Sequence, residues 1–391
     1  MKKIASVLLS ICLSLAAAGQ KLDYNVGLEY VFADYEYHAS ASFYDYSHTL
    51  HGVRLTPEVA LLLTPSPSVY HRLNLGVDLM RQMGEGVENV GLLRELLFYY
   101  SLDARFDNGG RFEAYAGAFP RRYGRREAYL GPIYDSDALY LDPNIEGMMF
   151  KYSRDKRIYA ELALDWDGMF GDLLNPSRRE TFRILSTGSW RFAGDFSLGW
   201  TASFHHYSVS PERYYVVDDH LVNPRLEWEP FTWMDDCRLE LGGIVAYECN
   251  RLVIMKPFFP AGVYSRQLIG KWGLILDNRF YWGDDIAPFY DFDFAGDVFG
   301  ANIYSCEPGF RMPGEGPGWA DWLTLRFAPH ISSWLSVEAA LMMQFGTPVY
   351  GGNVFRGFRP AIRLTVDLAS FRAVPRKPAT KAREYHFNLT L

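Results

Sequence analysis

Apolar and polar residues alternate with a period of two over long stretches of this chain. The clearest stretch begins at Phe196, where the even positions are apolar and the odd positions up to His205 are small or polar. The same alternation recurs at 72–79, 96–106, 158–167, 182–192, 239–247, 274–282, 323–327, 335–345 and 362–368. Successive side chains of a strand point to opposite faces of a sheet, so the pattern predicts long strands with one apolar and one polar face.

Short turns and longer connections alternate between the predicted strands. Tight turns are expected at 66–68, 108–110, 155–157, 194–195 and 332–333. Longer connections lie at roughly 35–49, 83–90, 121–144, 168–178, 210–234, 284–319 and 347–356. This order predicts an up-and-down antiparallel sheet, and no linker divides it. We therefore expect a single all-β domain.

The length of the strands decides between two all-β folds. Many run for roughly 10–14 residues, whereas strands of globular proteins usually have about 5–6 and a tilted membrane crossing needs about 9–11. Their polar faces carry large charged groups, which a water-filled lumen accommodates and a packed core does not. Aromatic residues gather at strand ends, as in interfacial girdles: Trp166, Trp190, Tyr281, Trp282, Trp322 and Trp334. These features favour a closed transmembrane antiparallel barrel over the alternative, a secreted β-sandwich.

Composition and the N-terminus indicate an exported protein. The chain is 49% hydrophobic and 22% charged, which is too apolar for disorder. Lys2 and Lys3 precede an apolar stretch at 4–15 and small residues at 17–19, so we predict a signal peptide over 1–19 and a barrel domain over 20–391. Without the two lysines, 46 acidic residues face 37 basic ones, and the net charge falls from −7 to −9. Nucleic acid is therefore not an expected partner.

The cysteines and acidic residues do not indicate a bound metal or cofactor. Beyond the signal peptide the cysteines are Cys237, Cys249 and Cys306, a sparse odd set that excludes a disulfide framework and lacks the spacing of a zinc site. The acidic and aromatic connection 284–319 misses the spacing of a calcium loop, and a self-packed lid is the preferred interpretation. We expect no cofactor and no metal.

The C-terminus carries a resemblance to a known class. Tyr385, Phe387, Leu389 and Leu391 alternate with polar residues up to the last position. This resembles the terminal strand signal of Gram-negative outer-membrane β-barrel proteins, although those proteins usually end in Phe or Trp. Within the class, the length and the loop pattern look most like porins. The resemblance implies location in the outer membrane and about sixteen strands, with a range of 14–18 because 252–270 and 371–380 are ambiguous.

The segment 121–144 concentrates charge of both signs. Its candidate residues are Arg121, Arg122, Arg125, Arg126, Asp135 and Asp137, followed by Asp142. In general porins, the loop in the corresponding place folds inward and narrows the pore, which implies a constriction here. Opposed fixed charges in a narrow aqueous passage would orient polar solutes. The alternative is a loop at the outer rim, whose arginines bind lipopolysaccharide phosphates or stay solvated.

The alternation also predicts which charged side chains face the lumen. They include Glu161, Asp165, Asp167, Arg183, Arg191, Asp277 and Arg279. Each could line a path for solutes. Each could equally belong to a network of salt bridges that stiffens the barrel.

Two short motifs keep an enzymatic barrel open as an alternative. His206 and Ser208 have the His-x-Ser spacing of outer-membrane phospholipases, without the Asn and Gly residues that flank that family's motif. Asp218 and His220 have the Asp-x-His spacing of omptin-type proteases. Those enzymes have solid, packed interiors, and we expect both motifs to lie in solvated loops.

The sequence is therefore interpreted as a passive channel for small polar solutes, and not as an enzyme. The alternatives are a lipid- or peptide-hydrolysing barrel, and a scaffold barrel of a surface polysaccharide or secretion pathway. Expected partners are outer-membrane lipid, lipopolysaccharide and, through the C-terminal strand, the barrel-insertion machinery. A homo-oligomer stays open, because porins of this size are often trimers but the sequence shows no subunit interface.

Overall fold

The protein is described from a computed structural model. The structure describes residues 22–38, 47–65, 68–84, 91–125, 131–155, 157–168, 180–208, 216–231, 233–251, 255–290, 293–294, 297–298, 303–313, 316–349 and 353–367. The predicted signal peptide at 1–19, Arg126 and the predicted terminal strand at 385–391 lie outside these ranges.

Sixteen antiparallel strands within the described ranges form one closed barrel. In chain order the barrel strands are β1 (Leu22–Tyr37), β2 (His48–Pro65), β3 (Val69–Gln82), β4 (Leu93–Arg105), β5 (Gly110–Pro120), β6 (Asn144–Arg154), β7 (Ile158–Gly168), β8 (Glu180–Ala193), β9 (Phe196–Ser208), β10 (Val216–Trp228), β11 (Asp236–Asn250), β12 (Ala261–Lys271), β13 (Leu274–Gly283), β16 (Gly318–Phe327), β17 (Leu335–Val349) and β18 (Asn353–Asp367). Between β13 and β16, the short strands β14 (Asp293–Phe294) and β15 (Asp297–Val298) form a separate two-stranded sheet. The expected fold and the expected count of about sixteen strands are confirmed. The ambiguous stretch 252–270 contains one barrel strand, β12, which starts at Ala261.

The barrel closes between the first and last of the described strands. β1 pairs with β18 in a register that places Ala33 opposite Ala361. Every other neighbouring pair in the barrel is consecutive in the chain, except that β13 pairs with β16. No helix among the described residues is long and apolar enough to cross a membrane.

Apolar and charged side chains segregate to the two faces of the wall. Leu96, Phe98 and Leu241 on the outer face are 52%, 57% and 59% exposed. On the inner face, Asp277 is fully buried between Arg266, whose Nε and Nη2 lie 2.8 and 2.7 Å from its carboxylate oxygens, and Arg326. A buried charge needs such a partner, because an uncompensated one costs several kcal/mol.

Two connections on the long-loop side fold into the barrel. The first starts with a 3-10 turn at Arg121–Tyr123 and includes the short helix α1 (Ser136–Leu141). The second includes the 3-10 turn Pro308–Phe310. The two segments meet in a parallel bridge between Tyr134 and Ser305. Their apolar side chains, with those of the inner wall, form the main buried core: it includes Ile133, Leu139, Phe289, Phe310 and Trp322.

Candidate functional site

Arg121 is held inside the barrel. Its side chain is 1% exposed, and its Nη1 lies 2.6 Å from Oδ2 of Asp165. Its Nη2 donates to the backbone oxygen of Asn144 at 2.8 Å, and its guanidinium lies 5.0 Å from the ring centre of Tyr134. Arg121 therefore fastens the start of the inserted segment to the wall at β7.

The helix α1 is fastened by a second group of charges. Asp135 caps it by accepting a hydrogen bond from the backbone nitrogen of Ala138 at 2.6 Å. Arg359 of β18 donates to Ser136 and Asp137, and Nε2 of His48 lies 2.6 Å from Oδ2 of Asp137. These contacts join α1 to both strands that flank β1.

The two aspartates of this group have pKa values shifted in opposite directions. Burial, and then the neighbouring charge of Asp137, raise the pKa of Asp135 to about 7. Burial also tends to raise the pKa of Asp137. The Arg359 guanidinium and His48 outweigh this effect and hold the pKa of Asp137 below its usual value.

Two further arginines of the segment also contact the wall. Arg122 pairs with Glu58 of β2 and donates to Oγ1 of Thr56 at 3.0 Å. The Arg125 guanidinium lies 3.7 Å from the ring centre of Tyr159, as in a cation–π contact. Thus Asp137 and the described arginines of the predicted constriction contact the barrel wall, whereas Asp135 caps α1. The role of these residues in solute passage stays a prediction.

The residues predicted to face the lumen differ in their surroundings. Five are buried on the inner wall: Glu161, Asp165, Arg183, Asp277 and Arg279. Arg191 is half-buried near the short-turn end, where its Nη2 lies 2.5 Å from Oε2 of Glu229. Asp167 is exposed near the opposite end of β7. Several of the buried groups pair with the inserted segments, for example Arg279 with Glu307 at 2.9 Å.

A different polar group lies on the outer face of β9 and β10. His206 faces outward like Phe204, two residues earlier, and stands opposite Asp218 in the pairing of the two strands. Nδ1 of His206 lies 3.3 Å from Oδ1 of Asp218. Arg251, just beyond β11, binds both oxygens of Asp218 with its Nε at 2.5 Å and its Nη2 at 2.9 Å.

Ser208 shares this face with His206. It is the last residue of β9. Because a strand rises about 3.3 Å per residue, the backbone positions of His206 and Ser208 are about 6.6 Å apart. The ring of Phe182 packs beside His206 at 5.2 Å between centres. Long connections of outer-membrane barrels are extracellular, so the group lies at the level of the outer leaflet.

The neighbouring His205 differs in its environment. It points inward, is 3% exposed, and contacts Oγ1 of Thr181 at 2.9 Å and Oδ2 of Asp219 at 3.3 Å. Since its side chain is enclosed by the wall and the inserted segments, it serves the packing of the interior. Of these two neighbours, His206 is the one whose side chain reaches the outer face.

Sequence reasoning found part of this outer group and misassigned another part. It singled out His206 and Ser208 by spacing, but placed them in a loop, whereas they lie in β9. It paired Asp218 with His220, whereas Asp218 contacts His206 and Arg251, and His220 stacks on Tyr247. Arg251 was missed, because only the register between β10 and β11 brings it to Asp218.

One family model matches the chain, over residues 16–206, which is just under half of its length. Its description is lipid A 3'-O-deacylase-type. The expectation that the protein is not an enzyme is therefore wrong, since the matching family is one of enzymes. No curated protein matches the chain.

Distant similarity links the chain to solved outer-membrane proteins. A loop-deletion variant of OmpT from Vibrio cholerae is 10% identical, with a TM-score of 0.49 over 88% of this chain and 99% of that one. Salmonella typhi OmpF with daunomycin is 10% identical, with a TM-score of 0.48 over 90% and 98%. OprD from Pseudomonas aeruginosa is 10% identical, with a TM-score of 0.44 over 90% and 95%. At these values the comparisons support no assignment of function.

The closed barrel and the distribution of its side chains define the class of this protein. In a bilayer every backbone polar group needs an internal partner, and a closed barrel with an apolar exterior provides one for each. The chain is a Gram-negative outer-membrane β-barrel protein, and it is located in the outer membrane.

Proposed function

We propose that this barrel is an outer-membrane hydrolase that removes an ester-linked acyl chain from lipid A. The observation that carries the proposal is the His206–Asp218 pair on the outer face of the wall, with Ser208 on the same face. The family model supports the reaction class and the substrate, since its description names a 3'-O-deacylase of lipid A.

The position of the pair suits a substrate that stays in the membrane. Acyl ester bonds lie where the headgroups of a leaflet meet its hydrocarbon. The His206 side chain is 22% exposed at the outer end of β9, with apolar residues such as Phe204 nearer the membrane centre. An acyl chain can therefore lie along the wall while its ester reaches His206 from the side.

The chemistry follows from the roles of the three side chains. In the proposed mechanism His206 carries its proton on Nδ1, which lies 3.3 Å from Oδ1 of Asp218, and Nε2 accepts the proton of Ser208 as the serine oxygen attacks the ester carbonyl. The bond from carbonyl carbon to sugar oxygen breaks, and that oxygen takes from His206 the proton that came from Ser208. Water then hydrolyses the acyl-serine and releases a fatty acid. Asp218 stabilises the imidazolium, and Arg251 fixes the orientation of Asp218.

The occupied interior favours this proposal over a passive channel. Two inserted segments pack against the inner wall through Phe310, Tyr134 and Leu139, which are all buried. A reaction on the outer face needs no passage through the barrel. Transport of small polar solutes would need a path around these segments.

Purified full-length protein mixed with lipid A, followed by mass spectrometry, tests the proposal. We expect the loss of one acyl chain, and a fall in rate of about 10²–10⁴-fold for His206→Ala and Ser208→Ala. Asp218→Asn should act through His206 and lower kcat more than it changes KM. His220→Ala is the matched control, because His220 lies on the same outer face and stacks on Tyr247 without contacting the pair.

The outcomes separate the parts of the proposal. If Ser208→Ala keeps full activity while His206→Ala loses it, His206 activates water directly and the acyl-serine is wrong. If His206→Ala and His220→Ala are equally active, the site on the outer face is wrong. No release of fatty acid by the folded wild-type protein would refute the hydrolase.

A further inference from the structure

The short-turn end of the barrel carries a cavity on its outer surface. Its volume is about 580 Å³, within the range of about 300–1,000 Å³ typical of small-molecule sites. It lies between the turn that joins β6 to β7 and the end of β8. Among the described residues that line it are the cations Arg154, Arg157 and Arg191 and the aromatic residues Trp190 and Phe192.

The register of the strands shows which side of the wall the cavity belongs to. Arg154 stands opposite Ile158, and Ile158 stands opposite Trp190. Trp190 and Phe192 are half-exposed on the outer face, two positions apart on β8. The cavity therefore borders the lipid, and not the lumen. Since short turns are periplasmic, it faces the inner leaflet of the outer membrane.

The charges around the cavity favour an anion. Asp155 is the acidic side chain among the described lining residues, and its Oδ2 lies 3.6 Å from Nε of the exposed Arg154. Arg191, between Trp190 and Phe192 on β8, turns its side chain to the inner face and pairs there with Glu229. The backbone nitrogen of Arg191 donates to the backbone oxygen of Arg157 at 2.7 Å. This bond ties the start of β7 to the end of β8. The described charged side chains on the outer face of the cavity are therefore Arg154 and Arg157 against the single carboxylate of Asp155, an excess of one positive charge.

We propose that this cavity binds the phosphate-bearing headgroup of an anionic glycerophospholipid in the inner leaflet. Arg154 and Arg157 contact the phosphate, since guanidinium groups match its oxygens with paired N–H donors. Trp190 and Phe192 pack against the glycerol and the first acyl carbons, as amphipathic aromatic residues do at a membrane interface. The site is distant from the His206–Asp218 pair and does not depend on the hydrolase proposal.

Quenching of tryptophan fluorescence by brominated lipid tests this site. Full-length protein is reconstituted in phosphatidylcholine bilayers that contain a minor fraction of phosphatidylglycerol, with bromine on the acyl chains of one lipid or the other. We expect brominated phosphatidylglycerol to quench in excess of its mole fraction. Each cation near a membrane surface strengthens binding by about fivefold, so Arg154→Gln/Arg157→Gln should lower the preference at least about fivefold.

Two matched variants locate the effect. Trp190→Phe removes the reporter and should abolish the excess quenching, while Arg105→Gln should preserve it. Arg105 is exposed at the same end of the barrel, on β4, and does not line the cavity. Heat-modified gel mobility checks that each variant is a folded barrel.

Four results would overturn the proposal. They are equal quenching by the two brominated lipids, a preference that survives in Arg154→Gln/Arg157→Gln, excess quenching that survives in Trp190→Phe, and equal losses in Arg105→Gln. Millimolar inorganic phosphate distinguishes the source of the anion. If it removes the excess quenching, the cavity is a site for free phosphate and the lipid assignment is wrong.

Discussion

Replacement of Arg121 by methionine should be among the most destabilising single changes in the barrel. The substitution keeps a long side chain but removes a cation that is 1% exposed and 2.6 Å from Asp165, itself 2% exposed. Asp165 would then be a buried carboxylate without its main partner. Breaking a buried ion pair in this way costs about 3–5 kcal/mol in the free energy of unfolding, or roughly 10²–10⁴-fold in the folding equilibrium.

A double-mutant cycle in urea measures this cost. The free energy of unfolding is obtained from tryptophan fluorescence for the wild type, Arg121→Met, Asp165→Asn and the double variant. Because the double variant has no unpaired buried charge, we expect it to be more stable than Arg121→Met. Arg105→Met is the matched control: the Arg105 side chain is 45% exposed, and its partner Asp103 at 3.5 Å keeps its contact with Arg111, so the loss should be less than about 1 kcal/mol. An Arg121→Met protein within about 1 kcal/mol of the wild type, or a double variant less stable than Arg121→Met, would refute the reasoning.

Two further predictions concern the inserted segment and the wall. The pKa of Asp135 is raised to about 7, above its value in an unfolded chain. The protonated carboxyl therefore stabilises the folded protein at low pH, and this stabilisation is lost as pH rises from about 4 through 7. The protection factors of the α1 amides, which are corrected for the intrinsic pH dependence of exchange, should therefore be lower at pH 8 than at pH 5. Asp135→Asn, which retains a capping side chain, should abolish this difference in protection, and an unchanged difference would contradict the assignment. In the wall, a Cβ on Gly188 would lie 2.1 Å from the Trp200 ring, so Gly188→Ala should displace that ring and lower the unfolding midpoint in urea, whereas a midpoint equal to that of the wild type would contradict the packing.

The fold was predictable because its signal is local. In β9, apolar residues occupy every second position from Phe196 to Phe204, and the structure turns those positions outward. A shift of one residue would turn the whole apolar set into the lumen, so the register is strongly specified. For this reason the periodicity of a single strand was enough to indicate both its conformation and its lipid-facing side.

The candidate sites were less predictable because their contacts are not local. His206 meets Asp218 twelve residues later, and Arg251 reaches the same carboxylate from beyond the next strand. The charges of 121–144 indicated an unusual segment, but its position depends on Arg359, which lies 222 residues from Asp137 along the chain. Such pairs follow from the register of the closed barrel, which no single stretch of sequence specifies.

The pairing of β1 with β18 has a consequence for the order in which the barrel forms. Ala33 and Ala361 are neighbours across this seam, although 328 positions separate them in the chain (361 − 33). The other junctions join strands that are consecutive or separated by one connection, so each of them closes a much shorter loop of chain. Until β18 is in place, both edges of the growing sheet expose unpaired N–H and C=O groups, which are costly in hydrocarbon and pair readily with other chains. Pairing of β1 with β18 is therefore the step after which the sheet has no open edge in the bilayer. Before that step, the N–H and C=O groups of both edges need other hydrogen-bond partners.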